Sequence, residues 1–211
     1  MSFTPQLVQI FVALAITGFI PFIAVIATAF TKIAVTLLIV RNALGIQQTP
    51  PNAVVFGIAL VLSLRIMTPV FSDCLAIAQT KPFPETLAAS VEYVEATTAP
   101  WRAYLLERTT ERTRVIVENA TNPPITADAG LRYVFAVAIP AFVADELTRA
   151  FQIGLLIYLP FVVVDLAVGV ILVSMSMQSM SPTIISTPVK LLLFIAVEGW
   201  TKLLQNFLLS G

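Results

Sequence analysis

Long apolar runs that contain almost no charge are the feature that most limits how this chain can fold. Residues 1–31 and 42–64 contain no charged side chain, and residues 150–189 contain only Asp165. These runs reach or exceed the ~20 mainly apolar residues that a helix needs to cross a bilayer. Only 11% of the residues are charged, against roughly 25% in soluble domains. The sequence therefore predicts an all-α, multi-pass membrane protein.

Four segments are long and apolar enough to span a membrane, at residues 7–40, 54–78, 150–175 and 183–209. Proline interrupts several of them, at Pro21, Pro69 and Pro160. Because proline removes a backbone hydrogen bond and usually bends a helix, we expect kinked helical hairpins. The carbonyls freed in this way need partners inside the protein.

The chain is expected to form a single domain over residues 1–211. Its first residues carry no basic region and no small-residue cleavage site of the kind found in secretory signals, so we interpret them as a retained helix. The positive-inside rule places the 41–53 loop, with Arg41, in the cytoplasm, and the 81–132 segment on the other side.

The polar segment 81–132 holds thirteen of the twenty-four charged residues, six basic and seven acidic. Apolar residues recur there at steps of three and four, which predicts helices. Asn122 and the two prolines after it predict a turn. The segment is interpreted as a solvated helical hairpin between spans, with a docking surface for another subunit as the alternative.

Several kinds of activity are excluded or disfavoured by composition. The chain has no histidine and a single cysteine, which excludes histidine triads, histidine proton relays, the common zinc sites and an internal disulfide. A net charge of zero argues against a nucleic-acid partner. An intramembrane enzyme would have to use a Ser–Lys pair or paired aspartates, but Asp145 and Asp165 lie far apart without a supporting motif. We expect no enzyme, no cofactor and no metal.

Charges in or beside the apolar segments are candidates for inter-subunit or intramembrane contacts. They are Lys32, Arg65, Asp145, Glu146, Arg149, Asp165, Lys190 and Glu198. Helical spacing predicts that both Asp145 and Glu146 pair with Arg149. A charge at the bilayer centre costs ~2.5–3.5 kcal/mol on insertion scales. An ion pair at a subunit interface or a hydrogen-bonded carboxylate is therefore favoured for Asp165 over a proton relay or simple exposure to water.

A small-solute or ion transporter would use Asp165 and Lys190 near broken helices. Its usual sign, an inverted repeat, is missing from the sequence.

Two loops stand out. The first joins the first two apolar segments, where Gly45 predicts a helix end and Asn52 a helix cap. Its notable residues are Arg41, Asn42, Gln47, Gln48, Pro50, Pro51 and Asn52. The second loop lies in SMSMQSMSPTIISTPVK, residues 174–190, and contains Met175, Met177 and Met180. Methionine side chains are flexible and fill irregular gaps, so both a plain turn and a deformable apolar constriction remain open from the residues alone.

Three blocks, FTKIAVTLLIVRNALGIQQTPPN, ELTRAFQIGLLIYLPFVVVDL and SMSPTIISTPVKLLLFIAVEGW, resemble the signature blocks of the SctR/FliP family. This family consists of export-gate proteins of bacterial type III secretion systems and flagella. The resemblance implies a homo-oligomer that assembles with SctS-like and SctT-like proteins into a helical pore complex. That complex would lie in the bacterial inner membrane, partly raised towards the periplasm.

The resemblance further implies contacts with the export gate protein and the inner rod or needle, and with unfolded secreted proteins as cargo. It also implies that Met175, Met177 and Met180 form a hydrophobic gate, which a dewetting constriction would close. The supporting residues would be Ser174, Ser176, Gln178, Ser179, Pro182 and Pro188. The absence of a signal-like start favours the virulence-type injectisome branch over the flagellar one. A scaffold subunit that lines no pore is the main alternative.

Overall fold

The computed structural model describes residues 25–46, 49–82, 84, 86–177 and 179–209, together with residues 14, 18, 22 and 23. Within these residues the chain is helical and contains no strand, so the predicted all-α class is confirmed. The helices are α1 (Phe30–Ala43), α2 (Asn52–Thr80), α3 (Leu87–Thr97), α4 (Ala99–Glu107), α5 (Glu111–Ala120), α6 (Leu131–Ser174), α7 (Pro182–Ala196) and α8 (Gly199–Leu209).

Helices α2 and α6 are each long and apolar enough to cross a membrane, and α7 with α8 could form a third, bent span. The predicted span 54–78 thus corresponds to α2, and the predicted span 150–175 is the second half of α6. Much of the predicted segment 7–40 lies outside the described residues, and its described end forms α1.

The fourth predicted span is two helices that meet at 57°. The bend lies at residues 197–198, where Glu198 has a left-handed backbone with φ of 54°, and not at Pro188. A Cβ on Gly199 would lie 2.1 Å from the ring of Phe194. The bend therefore depends on a glycine that lets α8 begin directly against an aromatic ring of α7.

Helix α1 lies at the centre of the first hydrophobic core. It packs against α2 and α6, and its residues Ile33, Leu37 and Val40 are buried. Its approach to α6 is close, because a Cβ on Gly154 would come within 2.6 Å of the Ile39 side chain. Because α1 lies at the centre of this core, its charged residue Lys32 is buried.

The polar insertion forms α3, α4 and α5, which confirms that it is helical. Thr86 and Thr110 cap α3 and α5 by accepting hydrogen bonds from backbone N–H groups. A second core anchors the insertion to α6, where the rings of Tyr104 and Phe142 lie 5.8 Å apart. The insertion is therefore packed on the end of the longest helix instead of standing free in water.

Large apolar side chains remain exposed on α2, α7 and the second half of α6. On α6, for example, Leu156 is 70% exposed and Leu166 is 65% exposed. Contiguous exposed apolar surface of this extent marks contact with lipid or with other protein chains.

Candidate functional site

The methionine loop joins α6 to α7 at the tip of a helical hairpin. Helix α6 ends in a Schellman motif, in which the Met177 N–H donates to Leu172 O at 2.9 Å and the Ser176 N–H donates to Val173 O at 3.0 Å. Ser176 is the left-handed residue of this motif, with φ of 60°. The first half of the loop is therefore a defined helix end with satisfied carbonyls.

Because a left-handed backbone is unfavourable for residues other than glycine, we expect Ser176→Gly to stabilise the loop by about 0.5–1 kcal/mol. The Met177 amide should then exchange its hydrogen about twofold to fivefold more slowly, if local opening limits exchange. Ser174→Gly is the matched control. Ser174 has a helical backbone, where glycine is destabilising, so this substitution should make hydrogen exchange of the Met177 amide faster. Equal effects of the two substitutions would contradict the assigned backbone geometry.

All three loop methionines are exposed on the single chain, Met175 by 63%, Met177 by 37% and Met180 by 39%. Ser174 donates to Val170 O within α6, and Ser179 is exposed. Gln178 lies outside the described residues. Helix α7 begins with Pro182 in its first turn, as expected for a loop boundary. Pro188, another of the supporting residues that the resemblance implies, lies inside α7 and not in the loop.

An ion pair joins the two arms of this hairpin behind the loop. The Lys190 Nζ donates to Asp165 Oδ2 at 2.6 Å and to Ala43 O, at the end of α1, at 3.2 Å. The Lys190 side chain is 5% exposed and the Asp165 side chain 39% exposed. Asp165 is therefore a hydrogen-bonded carboxylate, as predicted, but the ion pair that it forms lies within this chain and not at a subunit interface.

The α1–α2 turn lies against the same hairpin. Gly45 ends α1 with φ of 78°, as predicted, and a Cβ there would come 2.8 Å from Thr187 Oγ1. Arg41 donates to Pro50 O and to Asn52 Oδ1, which holds the turn closed.

The prediction that Asn52 caps α2 is wrong. Pro51 occupies the cap position, and the Asn52 side chain is bonded to Arg41 instead. Asn42 and Pro51 are exposed, and Gln47 and Gln48 lie outside the described residues.

A buried charge network lies at the other end of the apolar part of α6. Glu146 is fully buried, and its carboxylate contacts Arg149 Nη1 at 2.6 Å and Lys32 Nζ at 3.8 Å. Arg149 also donates to Arg108 O at 2.6 Å, across to the end of α4. The predicted Glu146–Arg149 pair is confirmed. The network joins α1, α6 and the polar insertion.

The predicted pair between Asp145 and Arg149 is not formed. The Asp145 carboxylate accepts hydrogen bonds from Thr110 N and Thr113 Oγ1 at the start of α5. An anion at a helix N-terminus satisfies unpaired N–H groups and complements the helix dipole. Asp145 therefore attaches the insertion to α6, while contacts of these charges with a second copy stay a prediction.

A polar cleft of about 630 Å³ opens beside this network. Its polar lining comes from Lys32, Tyr104, Glu107, Arg108, Arg149, Gln152 and Asn206. Sequence reasoning missed Tyr104, Gln152 and Asn206, and it interpreted the Glu107–Arg108 doublet as a solvated helix face. The guanidinium of Arg108 lies 4.6 Å from the ring centre of Tyr104, an i,i+4 contact that the spacing could have predicted. Burial raises the pKa of Tyr104 to about 12.

Two further predicted charges, Arg65 on α2 and Glu198 at the α7–α8 bend, are exposed. Among the described residues no group of three or more acidic or cysteine side chains could hold a metal ion.

Comparison with known proteins decides the family. The sequence model of the FliP family matches residues 13–207. The chain belongs to the FliP family. The resemblance carried by the three sequence blocks is thereby confirmed.

This FliP-family chain is 39% identical over 210 residues to the Yop proteins translocation protein R of Yersinia pestis, with 98% of this chain and 97% of that protein covered. It is 40% identical over 195 residues to the harpin secretion protein HrpW of Pseudomonas syringae pv. syringae, with 90% and 94% covered. It is 38% identical over 218 residues to the virulence protein YscR of Salmonella typhimurium, with 98% and 100% covered. These relatives are secretion, translocation and virulence proteins, in agreement with the injectisome branch of the family.

Proposed function

We propose that this chain is a pore-forming core subunit of a type III protein secretion export apparatus. In this proposal it conducts unfolded proteins across the bacterial inner membrane and has no catalytic activity of its own. Membership of the FliP family and the near full-length similarity to translocation and secretion proteins support the assignment to a secretion apparatus.

The observation that carries the pore assignment is the geometry of the methionine loop. Three flexible apolar side chains project from the tip of a hairpin whose arms are joined by Asp165 and Lys190. Exposed methionines at a rigidly held tip are costly in water and favourable against apolar neighbours. Loops from neighbouring copies could therefore meet and exclude water, as in a hydrophobic gate.

The proposed assembly contains several copies of this chain with SctS-like and SctT-like subunits. The exposed apolar faces of α2, α6 and α7 are the surfaces available for them and for lipid. The complex would lie in the inner membrane with part of it on the periplasmic side, next to the export gate protein and the inner rod or needle. The polar insertion 81–132 belongs to the non-cytoplasmic side in this arrangement.

Replacing Met175, Met177 and Met180 together with Ala tests the gate. The substitution removes long apolar side chains and leaves the Schellman motif and the ion pair in place, so assembly should be unchanged. The resting complex should leak, because a wider and wetter constriction no longer dewets. Membrane conductance, or uptake of a small toxic solute, measures the leak against the number of assembled complexes.

The matched control replaces the same three residues with Leu, which conserves apolar volume and should keep the resting complex tight. Single Ala variants should leak less, because methionine neighbours can repack into a small gap. An assembled triple Ala variant as tight as the native complex would place the seal elsewhere. Crosslinking of secreted cargo to residues 174–181 then separates the two roles, since a scaffold subunit that lines no pore would show no such crosslinks.

A further inference from the structure

The first apolar segment has a break in its helix at residues 27–29, directly before α1. Residues 25 and 26 are helical and α1 begins at Phe30, but Ala29 has ψ of −7°, against about −42° in a regular helix. The residues at the break are Ala, Thr and Ala, without glycine or proline, and alanine is the best helix former. The cause of the break therefore lies in contacts with other parts of the chain.

Side chains from two other elements hold the polar groups at the break. The Trp101 Nε1, in the polar insertion, donates to Ala27 O at 2.9 Å. The Phe30 N–H donates to Thr28 Oγ1 at 3.4 Å, where a continuous helix would use the carbonyl four residues back. Ser63 on α2 donates to the same Thr28 oxygen at 3.1 Å. The break is thus stabilised by both the insertion and α2.

The break also lies at the boundary between the two hydrophobic cores. Ala27 belongs to the second core, which anchors the insertion, whereas Ala29 belongs to the first core around α1. The same boundary crosses α2, where Ala59 packs in the first core and Met67 in the second, with the buried Ser63 between them in sequence. A boundary made by polar side chains can shift with less loss of apolar packing than a continuous core.

The carbonyl of Ala27 has two alternative donors. In the structure it accepts from the indole of Trp101. In a continuous helix it would accept from the N–H of Thr31, which is the second residue of α1 and has no acceptor inside that helix. Exchanging one donor for another changes the free energy little, because the net contribution of each hydrogen bond is small. A contact with the insertion is therefore enough to decide between the broken and the continuous form.

We infer that Trp101 acts as a conformational latch on the first apolar segment. While the insertion is packed on α6, the indole holds the break at residues 27–29 open. When the insertion moves away, the helical turn before the break joins α1 as one continuous helix. The latch couples the position of the insertion to the direction of the segment before α1. It acts within one chain and depends neither on the methionine gate nor on which residues lie in lipid.

Hydrogen exchange of the Thr31 amide in the full chain tests the latch. Trp101→Phe keeps a packed ring but removes the N–H donor, so that Ala27 O becomes available to Thr31. The Thr31 amide should then exchange about fivefold more slowly, whereas a simple loss of packing would make it exchange faster. The matched control is Trp200→Phe, the same substitution at the chain's other tryptophan, which should leave Thr31 exchange unchanged.

A second variant favours the continuous helix directly and does not depend on the folding of Trp101→Phe. Thr28→Ala removes the side-chain oxygen at the break and leaves three consecutive alanines there. Because alanine favours the helix, exchange of the Thr31 amide should again become slower. Thr68→Ala is the control, since Thr68 is exposed on α2 and donates only within its own helix.

Fluorescence tests the coupling in the opposite direction. Coupling between two positions is reciprocal, so a helix that closes over the break should release the indole of Trp101. In a Trp200→Phe background, Trp101 is the remaining tryptophan. Adding Thr28→Ala to that background should shift its emission to longer wavelength, because the released indole meets water.

Two results would overturn the inference. The first is unchanged or faster exchange of the Thr31 amide in folded Trp101→Phe, which would mean that Trp101 contributes only packing. The second is slower exchange of Thr31 in Thr28→Ala without any shift of the Trp101 emission, which would mean that the break and the insertion are not coupled.

Discussion

Replacing Glu146 with Ala is expected to destabilise the protein by about 3–5 kcal/mol, the range measured when one partner of a buried ion pair is removed. Glu146 is fully buried and supplies the carboxylate for both Lys32 and Arg149. Without it, Lys32 and Arg149 both lose the carboxylate that they share, while Lys32 stays inside the core. Thermal unfolding of the purified chain, and the yield of monodisperse protein, measure the loss.

Glu92→Ala is the control, because Glu92 is exposed on α3 and its removal should change stability by less than about 0.5 kcal/mol. A sharper comparison replaces the charges together, as Lys32→Met with Glu146→Leu. Apolar replacement of a whole buried pair is often neutral, so the double variant should be more stable than Glu146→Ala. A Glu146→Ala protein as stable as Glu92→Ala would show that the network does not hold α1 against α6.

Replacing Asp165 with Ala should destabilise the α6–α7 hairpin by about 1–3 kcal/mol. The Lys190 ammonium would remain buried. Of its two described hydrogen-bond acceptors, it would keep Ala43 O and lose the Asp165 carboxylate. The effect should be smaller than that of Glu146→Ala, because the Asp165 side chain is 39% exposed and water can solvate Lys190 from that side. Asp73→Ala, at an exposed position on α2, provides the control.

Asp165→Ala should also loosen the methionine loop. Asp165 and Lys190 lie about 12–14 Å along their helices from the loop ends, at 1.5 Å per residue. Hydrogen exchange of the Met177 amide should therefore become faster in Asp165→Ala. Exchanging the two charges, as Asp165→Lys with Lys190→Asp, should restore only part of the stability, because a carboxylate at position 190 cannot donate to Ala43 O. Full recovery in the exchanged variant would mean that the contact with α1 contributes nothing.

Features that depend on near neighbours in the chain could be predicted from the sequence. The spans of α2 and α6 follow from long, mainly apolar runs, because a helix in lipid needs little beyond its own length and hydropathy. The Glu146–Arg149 pair follows from three-residue spacing on one helix. The end of α1 at Gly45 follows from the left-handed backbone that glycine adopts without strain. The family resemblance likewise came from contiguous blocks of residues.

Features that depend on how helices pack could be found only in the tertiary structure. Asp145 has an equally good helical spacing to Arg149, yet it caps α5, because α5 begins beside it. Asn52 is a good cap by residue type, yet the folded turn brings Arg41 to its side chain and Pro51 takes the cap position. The predicted fourth span bends between α7 and α8 at Glu198, where Gly199 packs on Phe194.

The ion pairs show most clearly which features the sequence predicts and which only the tertiary structure decides. Composition alone indicated that a charge in the apolar segments would need a partner or contact with water, because an unpaired charge in lipid is expensive. Which partner each charge takes was decided by the fold, which brings Lys32 of α1 to Glu146 of α6 and Lys190 of α7 to Asp165 of α6. Local spacing carries no information about such pairs, since the residues meet only when separate helices pack side by side.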